Sequence, residues 1–160
     1  MPPGNTRTRR SKLRRLVRFD WKAMDAWFEE DDEALIHPRD PYHRVDILAS
    51  SRHVEVTVNG VKVADSRQPL ALFETGLRTR WYLPLVDVRM DLLRPSTTSS
   101  GCPYKGVASY WSLEAGGELF EDLVWSYRTP ILESIKLTGR ACFWPEKSDT
   151  VELLVDGIRQ

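Results

Sequence analysis

The sequence is poor in the residues that build covalently linked or metal-bound scaffolds. It has two cysteines, Cys102 and Cys142, in 160 residues, and no CxxC pair. Two cysteines exclude a dense disulfide framework, and the lack of paired cysteines argues against a structural zinc site. We therefore expect no bound metal and a reducing, cytoplasmic compartment.

Long apolar runs and cofactor motifs are also missing. No run approaches the roughly 20 residues of a membrane-spanning helix, which excludes a spanning protein. No glycine-rich phosphate loop precedes a helix, so we expect a function without a cofactor. With 41% hydrophobic and 29% charged residues, the composition is that of one globular domain, alone or with an appendage.

Charge is balanced overall but unevenly distributed. Residues 1–18 hold seven basic side chains and no acid, which leaves a net −7 on the rest of the chain. We interpret this basic arm as a solvated, disordered tail, with phosphate contact, organelle targeting and nuclear import as alternatives. Nucleic acid is disfavoured as a partner, because the acidic remainder repels phosphate and no aromatic residue lies among the arginines.

The segment after the arm predicts a short helix and a linker. Apolar residues recur there at spacings of three and four: Trp21, Met24, Trp27 and Phe28. This spacing predicts an amphipathic helix over residues 21–30, and two prolines make residues 37–43 an extended connector. The apolar stripe of the helix needs a cover, supplied either by the chain's own domain or by a second copy of the chain.

The clearest structural signal is a β-hairpin. From Val54 to Val63, valines alternate with polar residues on both sides of Asn59-Gly60, a pair that accepts the positive φ values of a tight turn. A second hairpin is predicted around Gly116-Gly117, with strands over residues 110–114 and 118–127.

Turn signals at hairpin intervals divide the rest of the chain. Further strands are predicted over 70–73, 81–83, 86–92, 141–144 and 151–155, with loops over 95–101 and 102–106 and a helical turn over 130–137. About eight short strands predict a mainly β fold of two small antiparallel sheets packed against each other, plus the short N-terminal helix. The expected domains are the arm 1–18, the helix and linker 19–51, and a β-domain 52–158.

Several ordered motifs of this β-domain resemble one family. They are Ala64–Leu70, Glu74–Leu77, Arg80–Pro84, Asp87–Leu93, Cys102–Gly106, Ala108–Ser112, and Glu121-Asp122 with Trp125–Tyr127. Together they are similar to the family of domain of unknown function 427, over about residues 52–150. The resemblance implies a β-tent-like fold, in which two small antiparallel sheets lean against one another with a pocket between them.

The resemblance also bears on the N-terminal segment. Members of this family often carry two copies of the domain in tandem. Residues 19–30 resemble the end of a first copy, and residues 37–46 resemble the linker that follows it. The chain is therefore expected to hold a single copy preceded by the remnant of another.

The family has also been labelled nucleotidyltransferase-like, and the sequence argues against that chemistry. Two-metal transfer needs carboxylates that converge on ions about 4 Å apart. Asp87 and Asp91 share one face of the predicted strand, but four residues separate them by roughly 13 Å. Arg89 between them is interpreted as part of a charged ladder or as the holder of an anion, so Asp87 and Arg89 are candidate ligand-binding residues.

Aromatic residues are concentrated in the β-domain. Eight of the sixteen in the chain lie between Trp81 and Tyr127. They either form a sheet core or wall a pocket, since Tyr and Trp need partners for their polar ends. The resemblance favours the pocket, and the candidate ligand-binding aromatics are Tyr82, Tyr104, Tyr110 and Trp125.

Lys105 and Glu74 are the candidate catalytic residues. Lys105 follows an aromatic residue in a loop, where lost hydration lets it bind an anion, act as a base or form a Schiff base. The alternative is a structural lysine tied to loop carbonyls, to Glu74 or to Asp87. Glu74 is either a general acid–base or a carboxylate that accepts turn amides. Cys102 is disfavoured as a nucleophile, because the histidines all lie in or near the linker.

These candidates favour a small-molecule site in an aromatic pocket. The site serves either binding alone or cofactor-independent acid–base catalysis of the isomerase, lyase or hydrolase type, and the sequence leaves open whether the protein is an enzyme. The alternative is a protein-interaction module that uses the predicted helix 21–30 and the basic arm, including contact between two copies of the chain.

Overall fold

The computed structural model describes residues 19–29, 32–34, 36–37 and 40–160. The basic arm, and the interpretations attached to residues 1–18, lie outside the described residues. The chain divides into two compact units, Met1–Glu33 and Ala34–Gln160, which are taken separately below. In the part of the chain that is described, no helix is long and apolar enough to cross a membrane.

The first unit contains less helix than its apolar spacing predicts. Within residues 19–29 and 32–33, helical geometry is confined to one 3-10 turn, Trp21–Ala23. The chain then extends into β1 (Phe28–Glu29), which pairs antiparallel with β2 (Asp32–Glu33). The predicted helix over residues 21–30 is therefore wrong beyond its first turn.

The reason lies in the two tryptophans of this segment. Their rings stack in parallel with centroids 4.8 Å apart, and the indole N–H of Trp27 donates to the carbonyl of Trp21 at 2.9 Å. The spacing that predicts a helical stripe instead serves a compact aromatic loop.

The second unit is built from two antiparallel sheets. Its strands in chain order are β3 (Val45–Ala49), β4 (Val54–Val58), β5 (Val61–Ser66), β6 (Leu70–Glu74), β7 (Arg80–Pro84), β8 (Leu93–Cys102), β9 (Gly106–Ala115), β10 (Glu118–Pro130), β11 (Arg140–Phe143), β12 (Val151–Val155) and β13 (Ile158–Arg159). The larger sheet has the order β3-β6-β7-β11-β10-β9-β8, and the smaller sheet the order β13-β12-β4-β5. The mainly β class with two antiparallel sheets is confirmed.

Both predicted hairpins are confirmed. The turn between β4 and β5 has Asn59 at φ 48° and Gly60 at φ 76°, the left-handed region that a tight hairpin turn needs. Gly116 and Gly117, at φ 60° and 80°, join β9 to β10 in the same way.

Three segments differ from their predictions. Residues 86–92 form two 3-10 turns, Leu85–Asp87 and Met90–Leu92, rather than a strand. Only Val88 between them pairs, through a single bridge to Ala64, so alternation without a partner strand produces no strand. Residues 95–101 belong to the edge strand β8 rather than to a loop, because Ser and Thr suit a solvent-facing edge.

The third segment is 45–49, which the sequence assigns to the linker. It forms β3, the opposite edge of the larger sheet, paired with β6 in a register that sets Val45 beside Glu74. This pairing carries the residues just before β3 to the end of β6.

Alternation along the central strands gives the larger sheet two apolar faces. On β7, Trp81 and Leu83 pack with Val54, Val56 and other valines of the smaller sheet, whereas Tyr82 belongs to a separate cluster. That cluster combines residues of one strand face with the 3-10 segment Leu132–Leu137: Ile47, Leu70, Leu72, Tyr82, Ala108, Tyr127, Leu137 and Cys142. The first cluster thus forms the core between the two sheets, and the second cluster lies on the far face of the larger sheet.

Candidate functional site

A cavity of about 300 Å³ lies at the second cluster, on the face of the larger sheet remote from the smaller one. It is lined by Leu72, Glu74, Leu77, Arg80, Tyr82, Cys102, Lys105, Tyr110, Trp125, Tyr127 and Trp144. These residues all belong to the strands of the larger sheet or to the segments that adjoin them. This cavity is therefore not the one that the resemblance implies between the two sheets. A second cavity of about 260 Å³ does lie there, lined by Trp81 and Phe143 of the larger sheet and Leu153 of the smaller one.

Glu74 and Lys105 form a buried ion pair in the cavity wall. Lys105 Nζ donates to Glu74 Oε2 at 2.6 Å, and the two side chains are only 8% and 9% exposed. Glu74 ends β6 near one edge of the sheet, and Lys105 lies in the turn between β8 and β9 at the other edge. The sheet must therefore curl around the cavity for the pair to form.

His43 is the third member of this group. Its Nε2 lies 3.0 Å from Glu74 Oε1, and its ring stacks on Tyr104 with centroids 4.3 Å apart. The hydroxyl of Tyr104 accepts the backbone N–H of Asp40 at 2.8 Å, which fixes the stack. Each oxygen of Glu74 thus has its own partner.

His43 is not among the predicted site residues, because its position in the sequence assigns it to the linker. Thirty-one residues separate His43 from Glu74, so no local spacing connects them. The signal that could have found it is the pairing of β3 with β6, because the residues just before β3 then meet the end of β6.

The aromatic wall is held by contacts among its own members. The indole N–H of Trp125 donates to the Tyr82 hydroxyl at 3.1 Å, and the Tyr110 hydroxyl lies 2.8 Å from Ser100 Oγ. The guanidinium of Arg80 lies 5.6 Å from the Trp125 ring centroid and pairs with Glu146 at 2.8 Å. The wall is therefore arranged before any ligand arrives.

Tyr127 differs from the other tyrosines of the wall. It is only 5% exposed, and its hydroxyl makes no hydrogen bond to a described residue. Among the described side chains, the enclosed polar atom without a partner is Trp81 Nε1, so the Tyr127 hydroxyl oxygen faces the cavity rather than the closed interior. Burial raises the pKa of Tyr127 and of Tyr82 above the usual tyrosine value, so both phenols stay protonated at neutral pH. Burial likewise raises the pKa of the Cys142 thiol, which keeps that thiol protonated and unreactive.

The structure brings together five of the eight predicted site residues. Glu74, Tyr82, Lys105, Tyr110 and Trp125 line the cavity, and Tyr104 stands beside it, behind His43. Lys105 pairs with Glu74, which is also the contact foreseen for a structural lysine. Arg80, Cys102 and Tyr127 line the cavity without having been selected as ligand contacts.

Asp87 and Arg89 lie elsewhere, in a separate groove beside β5. Asp87 accepts a hydrogen bond from Ser66 Oγ at 2.6 Å, whereas Arg89 pairs with Asp91 at 2.6 Å. Asp87 and Arg89 lie outside the cavity because residues 85–92 form 3-10 turns instead of the predicted strand. The carboxylates of Asp87 and Asp91 serve different partners, which gives no support to a two-metal centre.

Among the described residues, one group has metal-binding donors close together, namely His53, Glu55 and Asp65, whose ligand atoms lie within 4.8 Å of one another. Lys62 donates to Asp65 at 2.9 Å and also bonds Glu55. Its ammonium group therefore supplies the positive charge that a metal ion would otherwise bring to these carboxylates. The hydrogen bond from His53, followed by that from Lys62, lowers the pKa of Asp65. The group therefore forms an ion-pair network at the surface of the smaller sheet.

The fold and the cavity define a mainly β domain with an aromatic-walled cavity on its larger sheet. Residues 46–154 match the family model of the Domain of unknown function (DUF427). The match spans more than half of the chain, and the chain belongs to this family. A search of curated proteins finds none that matches.

The family match begins at Asp46. Residues 19–45 lie outside it, so the interpretation of residues 19–30 as the end of a first copy, and of residues 37–46 as its linker, stays a prediction.

Proposed function

We propose that the larger sheet binds a small organic molecule in the cavity, and that Glu74 and Lys105 contact its polar end. The observation that carries this proposal is a buried ion pair in the wall of an aromatic cavity. The attraction within a buried ion pair often fails to offset the free-energy cost of desolvating its two charges, so such a pair contributes little to stability. In a cavity wall, however, the two charges can bind a ligand.

The same residues supply acid–base chemistry. Glu74 contacts an ammonium on one oxygen and an imidazole on the other, so a proton can reach or leave it along either contact. These side chains by themselves move protons, and isomerisation, elimination or hydrolysis is the reaction class that we propose for a bound substrate. Tyr82, Tyr110 and Trp125 would then orient that substrate against the pair.

Leu77→Trp tests the cavity directly. Leu77 is 62% exposed and lines the cavity, so a larger side chain there is expected to fill it without disturbing the core. Leu119→Trp is the matched control, because Leu119 is 51% exposed and lies outside the cavity lining. Each protein is purified from its own host and measured by native mass spectrometry. The wild type and Leu119→Trp should carry a small bound molecule, and Leu77→Trp should carry none.

Two outcomes contradict the proposal. The same mass on all three proteins would place the ligand outside the cavity. Bare chains in all three would overturn tight binding of a ligand from the host.

We propose a cytoplasmic setting on separate grounds, because both cysteines are free thiols. Contact between two copies through residues 21–30, and any role of the basic arm in interactions, stay predictions.

A further inference from the structure

The cavity offers more hydrogen-bond donors than its own acceptors use. The Lys105 ammonium carries three N–H groups, of which one bonds Glu74. Both oxygens of Glu74 already accept, from Lys105 and from His43. The other two N–H groups of Lys105 have no hydrogen bond to a described residue and are available to a ligand.

Two tyrosines add to this surplus. The Tyr127 hydroxyl faces the cavity without a partner among the residues that the structure describes. The Tyr82 hydroxyl accepts from the Trp125 indole, so its own proton is free for a further acceptor. A donor that faces the cavity without a partner in the protein is available to an oxygen of a ligand.

The charged residues of the wall point the same way. They are Arg80, Lys105 and Glu74; Arg80 is compensated by Glu146, so Lys105 is the cation with N–H groups still available in the cavity. The apolar part of the wall, formed by Leu72, Leu77 and Trp125, leaves a volume of about 300 Å³, which suits a body of one or two rings.

We infer that the ligand is a small organic acid, whose flat apolar body lies against Trp125 and whose anionic oxygens accept hydrogen bonds from Lys105, Tyr82 and Tyr127. This inference rests on the proposed function, since it names the ligand class of the same cavity. Tyr82 and Tyr127 act here as ligand-binding residues and Lys105 as the cationic anchor.

Matched compounds of three charge states separate this inference from the proposed function. Benzoate, benzamide and benzylamine, and the corresponding 2-naphthyl compounds, are titrated into the full chain at pH 7. Binding is followed by NMR at the indole N–H of Trp125, with that of Trp111, between the sheets, as the internal control. The carboxylates are expected to bind at least about tenfold more tightly than the amides, because bonds to charged groups are the stronger ones.

Tyr127→Phe tests the unpartnered donor. We expect it to weaken carboxylate binding about tenfold and to leave amide binding nearly unchanged. The unfolding midpoint of the free protein should stay at the wild-type value or rise, since the hydroxyl that is removed has no partner. Tyr42→Phe, at a residue 90% exposed and outside the cavity, is the control for the substitution itself.

The outcomes are distinct. If the amides or amines bind as tightly as the carboxylates, as judged by the Trp125 shifts, the inference that the ligand is an organic acid is wrong. The proposal that the cavity is a binding site then still stands. Failure of all six compounds to shift Trp125 would overturn both proposals. Full carboxylate selectivity in Tyr127→Phe, or a lowered midpoint of its free form, would show that Tyr127 is not a ligand donor.

Discussion

At the scale of single residues, the buried carboxylate of Glu74 dominates the site. Its two oxygens contact Lys105 and His43, and little of it reaches solvent. Removal of one partner from such a pair is more damaging than removal of both, because a charge is then left buried without compensation.

A double-mutant cycle tests this. Lys105→Met alone should lower the free energy of unfolding by about 3–5 kcal/mol, and the double variant Glu74→Gln/Lys105→Met by clearly less. Urea unfolding at pH 7 measures both. The exposed pair Arg94–Glu114, with each side chain 53% exposed, is the control, and its cycle should return under about 1 kcal/mol. Additive effects at Glu74 and Lys105 would contradict the coupling.

At the scale of elements, the two hairpin turns meet. A Cβ on Gly116, between β9 and β10, would lie 2.6 Å from Asn59 Nδ2 and 3.2 Å from the Asn59 carbonyl, between β4 and β5. A Cβ on the neighbouring Gly117 would meet nothing within 4 Å, although both glycines have positive φ. The two sheets therefore touch through their turns as well as through their core.

This contact predicts different costs for two adjacent substitutions. Gly117→Ala should lower the free energy of unfolding by about 1 kcal/mol, which is the strain of a left-handed alanine. Gly116→Ala should cost about 1 kcal/mol more, because the Asn59 turn must also shift. Urea unfolding of both variants gives the difference, and equal costs would show that the turns do not constrain one another.

The same elements show what the sequence can predict. Alternating valines around Asn59-Gly60, and the glycine pair at 116–117, are local signals, and both hairpins follow from them. The alternation of residues 86–92 is equally clear but meets no partner strand, a fact that no local pattern contains. Lys105 and Glu74 could be selected from their neighbours in sequence, whereas His43 depends on a pairing between β3 and β6 that only the folded chain reveals.

At the scale of the whole molecule, the two faces of the larger sheet have different surroundings. The face toward the smaller sheet packs into the core, in which Leu83 is fully buried and lines neither cavity. The other face holds Leu72, which is 1% exposed yet lines the cavity. Truncation in a sealed core leaves a void, whereas truncation in a cavity wall enlarges a space that water can enter.

Leu83→Ala and Leu72→Ala should therefore differ in stability. We expect Leu83→Ala to cost about 2–5 kcal/mol, and Leu72→Ala at least about 1 kcal/mol less. Urea unfolding at pH 7 compares two substitutions of the same chemistry on neighbouring strands. A larger loss for Leu72→Ala would show that the cavity face carries as much of the fold as the core face does.

Because the larger sheet curls, the ion pair between Glu74 and Lys105 also holds its two flanks together. Glu74 and Lys105 come from opposite flanks of an open sheet, with β7, β11, β10 and β9 between them, so their bond acts as a clasp. A molecule that binds only the clasped sheet stabilises it by mass action, by about 2.7 kcal/mol at a hundred times its Kd. The fraction of occupied cavities and the fraction of curled sheets then report the same equilibrium, between the sheet with the ion pair formed and the sheet with it broken.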